Sequence, residues 1–206
     1  DAGIGEEEVD RAVGLLGGSF NPAHEGHAHV AETARVRLAL ARVIWLVSPL
    51  NPFKKASDTA PLTERMASAR RWARGPSMIV SDFETRIGAR YTLDTLRLLK
   101  ARFPGVRFVW LMGSDNLAQF HRWRGWTQIM QTAPVAVISR PTGLSSNRFT
   151  PAARRFAHSR LSSREALALP GRGAPAWLYL RGPLHPASST AIRAARKLDP
   201  TRPPQA

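Results

Sequence analysis

Short apolar runs alternate with segments of helical periodicity along most of the chain. Six runs that are almost continuously apolar predict buried strands: Arg11–Gly17, Arg42–Ser48, Ser77–Ser81, Arg107–Gly113, Pro134–Ser139 and Trp177–Leu180. Between them, apolar residues recur at helical spacing in residues 25–40, 61–74 and 92–103, and a last helix is predicted over residues 190–197. Because such strands separated by helices are typical of a parallel sheet covered on both faces, the pattern predicts a doubly wound α/β fold.

The helix starts carry recognisable residues, and the chain shows neither internal repeats nor a domain boundary. Pro61 lies in the first turn of its helix, and Thr92 is predicted to be an N-cap with Asp94 in the first turn. We predict an acidic tail over 1–10, one domain over 11–198 and a tail over 199–206. Within the domain, residues 141–175 are rich in Arg, Pro, Gly and Ser, which leaves both helix and a mobile segment open.

Composition narrows the function classes without choosing among them. The chain has no cysteine, which excludes disulfides, thiolate zinc sites and cysteine nucleophiles and fits a cytoplasmic protein. No apolar run approaches the roughly 18 residues of a membrane span, and the acidic start lacks a signal-peptide core. The formal charge of +15 favours an anionic partner such as nucleic acid, a nucleotide or a membrane surface, although a GC-rich genome, which favours Arg codons, would explain it equally well.

The residues most typical of a functional site are concentrated in the segment GGSFNPAHEGH, residues 17–27. This segment follows the first predicted strand and begins the first predicted helix. A doubly wound sheet binds phosphates at this place, on the N–H groups of a helix start. His24 and His27 are three residues apart and can point from one side of the first turn. The segment matches neither HExxH, GxSxG, the P-loop nor GxGxxG. The histidine pair lacks further metal ligands, so no metal site is predicted, and two ordinary surface histidines are the alternative.

Three further segments and one residue pair, together with residues 17–27, resemble one family. GGSFNPAHEGH is similar to the GGTFDPxHxGH motif of nucleotidyltransferases, and SSTAIR at 188–193 is similar to their ISSTxIR motif. Residues 110–123 and the segment YTLDTL at 91–96 resemble the bacterial nicotinate-nucleotide adenylyltransferase branch, as does the Arg140-Pro141 pair. The resemblance covers residues 13–198 in order. Asn21, where the family usually has Asp, and Phe53, where it often has His, are departures.

The resemblance implies a Rossmann-like, doubly wound parallel sheet in a single domain with a C-terminal helix. It also implies transfer of the adenylyl group of ATP to nicotinate mononucleotide, in NAD biosynthesis, with Mg²⁺ arriving on ATP rather than in a site of its own. The implied catalytic residues are His24, His27, Arg193 and Lys54. The implied ATP-binding residues are Gly17, Gly18, Ser19, Phe20, Asp115, Ser188, Ser189 and Thr190. The implied nicotinate-nucleotide-binding residues are Thr92, Leu93 and Trp123.

Two alternatives remain at the level of sequence. Another adenylyltransferase of the same superfamily, such as a phosphopantetheine adenylyltransferase, would use the same histidine loop, but residues 113–123 and the chain length argue against it. A basic nucleic-acid-binding module using the Arg-rich residues 140–172 is the alternative from a different class. The sequence leaves homo-oligomerisation open and predicts no membrane partner.

Overall fold

The computed structural model describes residues 10–49, 59–139 and 149–181. The strands in these ranges are β1 (Ala12–Gly18), β2 (Arg42–Val47), β3 (Met78–Ser81), β4 (Arg107–Gly113), β5 (Val135–Ile138), β6 (Arg160–Leu161) and β7 (Trp177–Leu180). They pair in parallel in one sheet of order β3-β2-β1-β4-β5-β7-β6. The strand order reverses between β1 and β4, which creates a topological switch point there.

Helices connect the strands. The α-helices are α1 (Glu25–Arg37), α2 (Leu62–Trp72), α3 (Phe83–Arg86), α4 (Thr92–Arg102), α5 (Ser114–Gln119), α6 (Trp126–Thr132) and α7 (Pro151–Arg155). Short 3₁₀ segments cover Phe120–Arg122, Ala157–Ser159 and Ser163–Gly171. None of these helices combines the length and the apolar character that crossing a membrane requires.

The core forms two layers because side chains alternate along each strand. Val13 and Leu15 of β1 belong to a buried cluster with Leu96 of α4. Ala12 and Leu16 of the same strand belong to a second cluster, with Val30 of α1. Helices α1 and α2 therefore cover one face of the sheet, and α4 and α6 cover the other. This arrangement confirms the predicted doubly wound parallel sheet.

The six predicted strands are present within a residue or two, but two helix starts were predicted one residue away from where they lie. Pro61 is the N-cap of α2 and not a residue of its first turn. Tyr91, not Thr92, is the N-cap of α4, and Thr92 is the first helical residue. Residues 149–181 contain α7, β6 and 3₁₀ turns, which the sequence pattern did not specify. The predicted helix over 190–197 lies outside the described residues.

Candidate active site

The candidate site lies at the carboxyl edge of the sheet, beside the switch point between β1 and β4. The glycine segment continues directly from β1, and α5 starts directly after β4 ends at Gly113. A Cβ at Gly17 would overlap the indole ring of Trp110, which β4 holds against this strand end. Close approach of the ring therefore requires glycine at position 17.

Phe20 turns the chain from β1 towards α1. Its backbone has φ +46°, the left-handed region that an L residue adopts only where its surroundings enforce it. Burial of the Phe20 side chain holds the backbone in this conformation. The ring is 1% exposed and lies 5.3 Å, centroid to centroid, from the ring of Trp45 in β2. The loop is thus anchored by a buried side chain.

His24 and His27 form a reciprocal cap at the start of α1. His24 is the N-cap, and its Nδ1 accepts a hydrogen bond from the Gly26 N–H at 3.1 Å. His27 Nδ1 accepts one from the His24 N–H at 3.2 Å, and the ring centroids are 4.0 Å apart. Because both Nδ1 atoms accept, the proton of each neutral ring lies on Nε2, which makes each Nε2 a hydrogen-bond donor. His24 is 2% exposed, so the alternative of two ordinary surface histidines is wrong.

The ring of His27 is held from two sides. Phe20 meets it edge-on at 5.0 Å between centroids, and Trp45 lies at 6.4 Å. Charging either histidine would place a proton on Nδ1 and break a capping bond. The two capping bonds therefore favour neutral histidine rings that donate through Nε2 in the absence of ligand.

A buried arginine on α2 ties the loops of this edge together. Arg65 is 2% exposed, and its guanidinium donates to the carbonyl oxygens of Ser19 at 2.9 Å, Ser48 at 2.7 Å, Pro49 at 2.6 Å and Ala60 at 2.9 Å. Burial lowers the pKa of Arg65 from its ordinary value, but a guanidinium stays charged at neutral pH.

Two more buried polar residues join the same loops. Ser68, one turn after Arg65, accepts the Ala23 N–H at 3.0 Å. Asn21 Oδ1 accepts the Ala60 N–H at 3.2 Å, so the departure at position 21 has a structural partner. Sequence reasoning missed Arg65. Its position on the helix face that also carries Met66 and Ala69, which are buried, was the available signal.

Two predicted nicotinate-binding residues, Thr92 and Leu93, begin α4, and the third, Trp123, directly follows the 3₁₀ segment Phe120–Arg122. The N–H groups of Thr92 and Leu93 are in the first turn, where no helical carbonyl precedes them. Trp123 packs edge-on against Phe120 at 5.3 Å and against Trp110 at 6.5 Å, centroid to centroid.

Neighbouring residues link this region to the rest of the site. Leu93 is buried against Gly125, where a Cβ would come within 2.7 Å of the Leu93 side chain. The guanidinium of Arg124 lies over the Tyr91 ring, 4.6 Å from its centroid, and places a cation beside the helix start. Trp110 lies against Gly17, a predicted ATP-binding residue, and against Trp123, a predicted nicotinate-nucleotide-binding residue. It therefore contacts both predicted subsites.

A buried carboxyl group on α3 forms a hydrogen bond with α4. Glu84 of α3 is 7% exposed, and its Oε1 accepts a hydrogen bond from the Thr95 hydroxyl at 3.0 Å. Burial raises the pKa of Glu84 to about 7, and the Thr95 hydrogen bond opposes that rise.

Other predicted residues are placed less decisively. Asp115 is exposed in the first turn of α5, and Ser19 is half-buried with its carbonyl bound to Arg65. Lys54, Arg193 and residues 188–190 lie outside the described residues.

In the described ranges, no three His, Asp or Glu side chains gather as metal ligands would. A cavity of about 300 Å³ between α1 and α2 contains none of the predicted site residues in its lining.

Comparison with known proteins identifies the family. Residues 15–195 match the cytidylyltransferase-like family. The chain is 68% identical over 181 residues to a "Probable nicotinate-nucleotide adenylyltransferase" from Caulobacter sp. (strain K31), covering 88% of this chain and 96% of that protein. It is 54% identical over 183 residues to a protein of the same name from Cereibacter sphaeroides (strain ATCC 17025 / ATH 2.4.3), with coverages of 88% and 96%.

A solved structure shares the fold at low sequence identity. It is the Plasmodium falciparum nicotinic acid mononucleotide adenylyltransferase complexed with NaAD, with a TM-score of 0.64 and 15% identity over 89% of this chain and 83% of that one. From the sequence matches, the chain belongs to the nicotinate-nucleotide adenylyltransferase family, within the cytidylyltransferase-like proteins.

Proposed function

We propose that this protein transfers the adenylyl group of ATP to nicotinate mononucleotide, producing nicotinate adenine dinucleotide and pyrophosphate for NAD biosynthesis. The observation that carries the proposal is the histidine cap beside the switch point, where two Nε2 donors and a glycine-rich backbone occur together. The family membership supports it.

The reaction needs positioning and charge stabilisation more than a strong base. An oxygen of the mononucleotide phosphate attacks the α-phosphorus of ATP, and the bond from that phosphorus to the bridging oxygen breaks, releasing pyrophosphate. The attacking phosphate has a second pKa of about 6, so it is mostly ionised at neutral pH. No covalent enzyme intermediate is required, in agreement with a site built from donors rather than nucleophiles.

The loop residues supply donors to the triphosphate in this proposal. The N–H groups around Gly18, Ser19 and Phe20 bind phosphate oxygens, and the Nε2–H groups of His24 and His27 donate to the charge that develops during transfer. Binding of phosphates would also favour the charged imidazolium, against the capping bonds that favour the neutral ring.

The remaining assignments rest on the resemblance. Lys54 and Arg193 bind the triphosphate, and Asp115 contacts the nucleotide ribose. The hydroxyl groups at 188–190 form a second anion site at the start of the helix that the sequence predicts over 190–197. Mg²⁺ enters as part of the ATP substrate, held mainly by phosphate oxygens and water. We place the protein in the cytoplasm, where ATP is available as substrate.

The start of α4 favours a nicotinate over a nicotinamide ring. The N–H groups of Thr92 and Leu93 suit a carboxylate, which the helix dipole stabilises by roughly 0.3–1 kcal/mol. Arg124 adds positive charge nearby. Asp94 is exposed, and its N–H binds the Tyr91 carbonyl at 3.0 Å. An amide NH₂ cannot accept from the two N–H groups and would leave a donor unpaired, at about 1–3 kcal/mol.

The test is pyrophosphate release with nicotinate mononucleotide, nicotinamide mononucleotide and phosphopantetheine at one ATP and Mg²⁺ concentration. We expect kcat/KM for the acid to exceed that for the amide by about tenfold or more, from the free energies above. Equal values would remove Thr92 and Leu93 as the carboxylate site. Turnover of phosphopantetheine instead would replace the proposed substrate with that of another adenylyltransferase.

A further inference from the structure

The buried guanidinium of Arg65 joins three segments that are distant in sequence. Its acceptors are the carbonyls of Ser19 after β1, Ser48 and Pro49 after β2, and Ala60 before α2. Among the described residues no carboxylate pairs with it. All four acceptors are carbonyl dipoles at the carboxyl edge of the sheet, so its contacts orient backbone rather than neutralise an acid.

One of these contacts fixes a peptide unit of the glycine-rich loop. Within the described ranges the cis peptide bonds are Asn21–Pro22 and Ala174–Pro175, so the Ser19–Phe20 bond is trans. In a trans peptide the C=O and N–H point in opposite directions. Because the Ser19 carbonyl points at Arg65, the Phe20 N–H points away from it. No acceptor for that N–H lies within hydrogen-bonding distance in the part of the chain that the structure describes.

The opposite orientation of the Ser19–Phe20 peptide would weaken the binding of a phosphate group. If this peptide unit turned over, the Ser19 carbonyl oxygen would face the side now occupied by the Phe20 N–H, and it would repel an anion there. Phe20 already has the left-handed φ of +46°, so the loop conformation depends on contacts that enforce it. Arg65 and the buried Phe20 ring are two such contacts.

The same guanidinium also binds the backbone directly after β2. Its shortest bonds are to the Ser48 and Pro49 carbonyls, which immediately precede segment 50–58 with its Lys54. One side chain therefore sets the relation between the loop after β1 and the chain leaving β2. A lysine at position 65 would carry the charge but could not span acceptors in three segments, because its donors share one nitrogen.

We propose that Arg65 is a positioning residue for ATP: it locks the Ser19–Phe20 peptide with the N–H turned towards the triphosphate. The inference rests on the proposed function and adds to it a residue outside the histidine and ISSTxIR motifs. Its contacts reach neither α4 nor Trp123, so nicotinate-nucleotide binding is independent of it.

The experiment compares wild type, Arg65→Lys and the control Arg70→Lys, an exposed arginine on the same helix. Circular dichroism checks folding, and calorimetry measures the Kd of an α,β-methylene analogue of ATP with Mg²⁺. Steady-state assays give KM for both substrates. We expect Arg65→Lys to raise the Kd of the analogue and the KM for ATP by about 10- to 100-fold, as loss of an oriented donor to a charged group does. The KM for nicotinate mononucleotide should change by less than about twofold, and Arg70→Lys should match wild type.

A folded Arg65→Lys protein that binds the analogue like wild type, or that loses both substrates equally, would overturn the inference. If Arg65→Lys does not fold, Arg65→Gln is measured in the same way, and failure of both to fold would assign Arg65 to folding alone and also overturn it. A wild-type protein that binds the analogue but makes no dinucleotide would refute the proposed function, while the binding comparison would still decide the role of Arg65.

Discussion

Glu84 should make the stability of this protein fall as the pH rises through neutrality. The carboxyl group is 7% exposed and bonded to the Thr95 hydroxyl. Burial penalises its charged form, which raises its pKa from the ordinary 4.5 to about 7. A raised folded-state pKa means that the folded protein holds this proton more tightly than the unfolded chain. The resulting stabilisation is complete below pH 4.5 and is lost as the pH rises through about 7.

The size of the effect follows from the shift. Each pH unit between the unfolded and folded pKa values removes up to about 1.4 kcal/mol, so roughly 2–3 kcal/mol is lost between about pH 5 and about pH 8. Glu84→Gln cannot ionise but keeps an oxygen that accepts the Thr95 hydrogen bond. Its free energy of unfolding relative to wild type should therefore increase by about that amount over the same interval.

Urea denaturation followed by tryptophan fluorescence, at pH 5, 6, 7 and 8, measures this difference for Glu84→Gln. Glu64→Gln, an exposed position on α2, is the control and should stay parallel to wild type. If the difference between Glu84→Gln and wild type stayed constant within about 0.5 kcal/mol across the range, burial would not be raising the pKa of Glu84 and the reasoning would fail.

Three further predictions address the candidate site. His27→Ala should lower kcat by about 10²–10³ with little change in KM, because one donor to developing charge is lost, and activity within twofold of wild type in steady-state assays would exclude His27 from the mechanism. Arg193→Ala should raise the KM for ATP and weaken pyrophosphate in the reverse reaction, with poor rescue by Arg193→Lys; a fully active lysine variant would show that the bidentate fork is irrelevant. Gly17→Ala should reduce the free energy of unfolding in urea by about 1–3 kcal/mol, because the new Cβ overlaps the Trp110 ring, and unchanged stability would mean that the ring moves without cost.

The strands and the position of the histidine loop could be predicted from the sequence because both depend on local patterns. A buried parallel strand needs a continuous apolar run, and such runs mark β1, β2, β4 and β5 along the chain. The segment between β1 and α1 had to lie at the carboxyl edge once the sheet was parallel. The family membership followed from motifs that are themselves short and local.

Local patterns were less reliable at helix starts. The sequence predicted Thr92 as the N-cap of α4, but the chain enters the helix one residue earlier, at Tyr91, whose side chain makes no capping bond. The buried contacts of Leu93 and Leu96 set where this helix begins, and they outweigh the preference of threonine for the cap. His24 was the reverse case: it caps α1 although histidine is not a preferred N-cap.

Only the tertiary structure decided which polar residues are buried at the site. The contact between Arg65 and Ser19 joins residues 46 positions apart, and the one between Thr95 and Glu84 joins two helices. No periodicity encodes such pairs, because a side chain's partner depends on how the crossover helices pack on the sheet. Sequence alone determined the fold and the position of the histidine loop. The packing of α2 and α4 determined how that loop is held and which carboxyl group is buried.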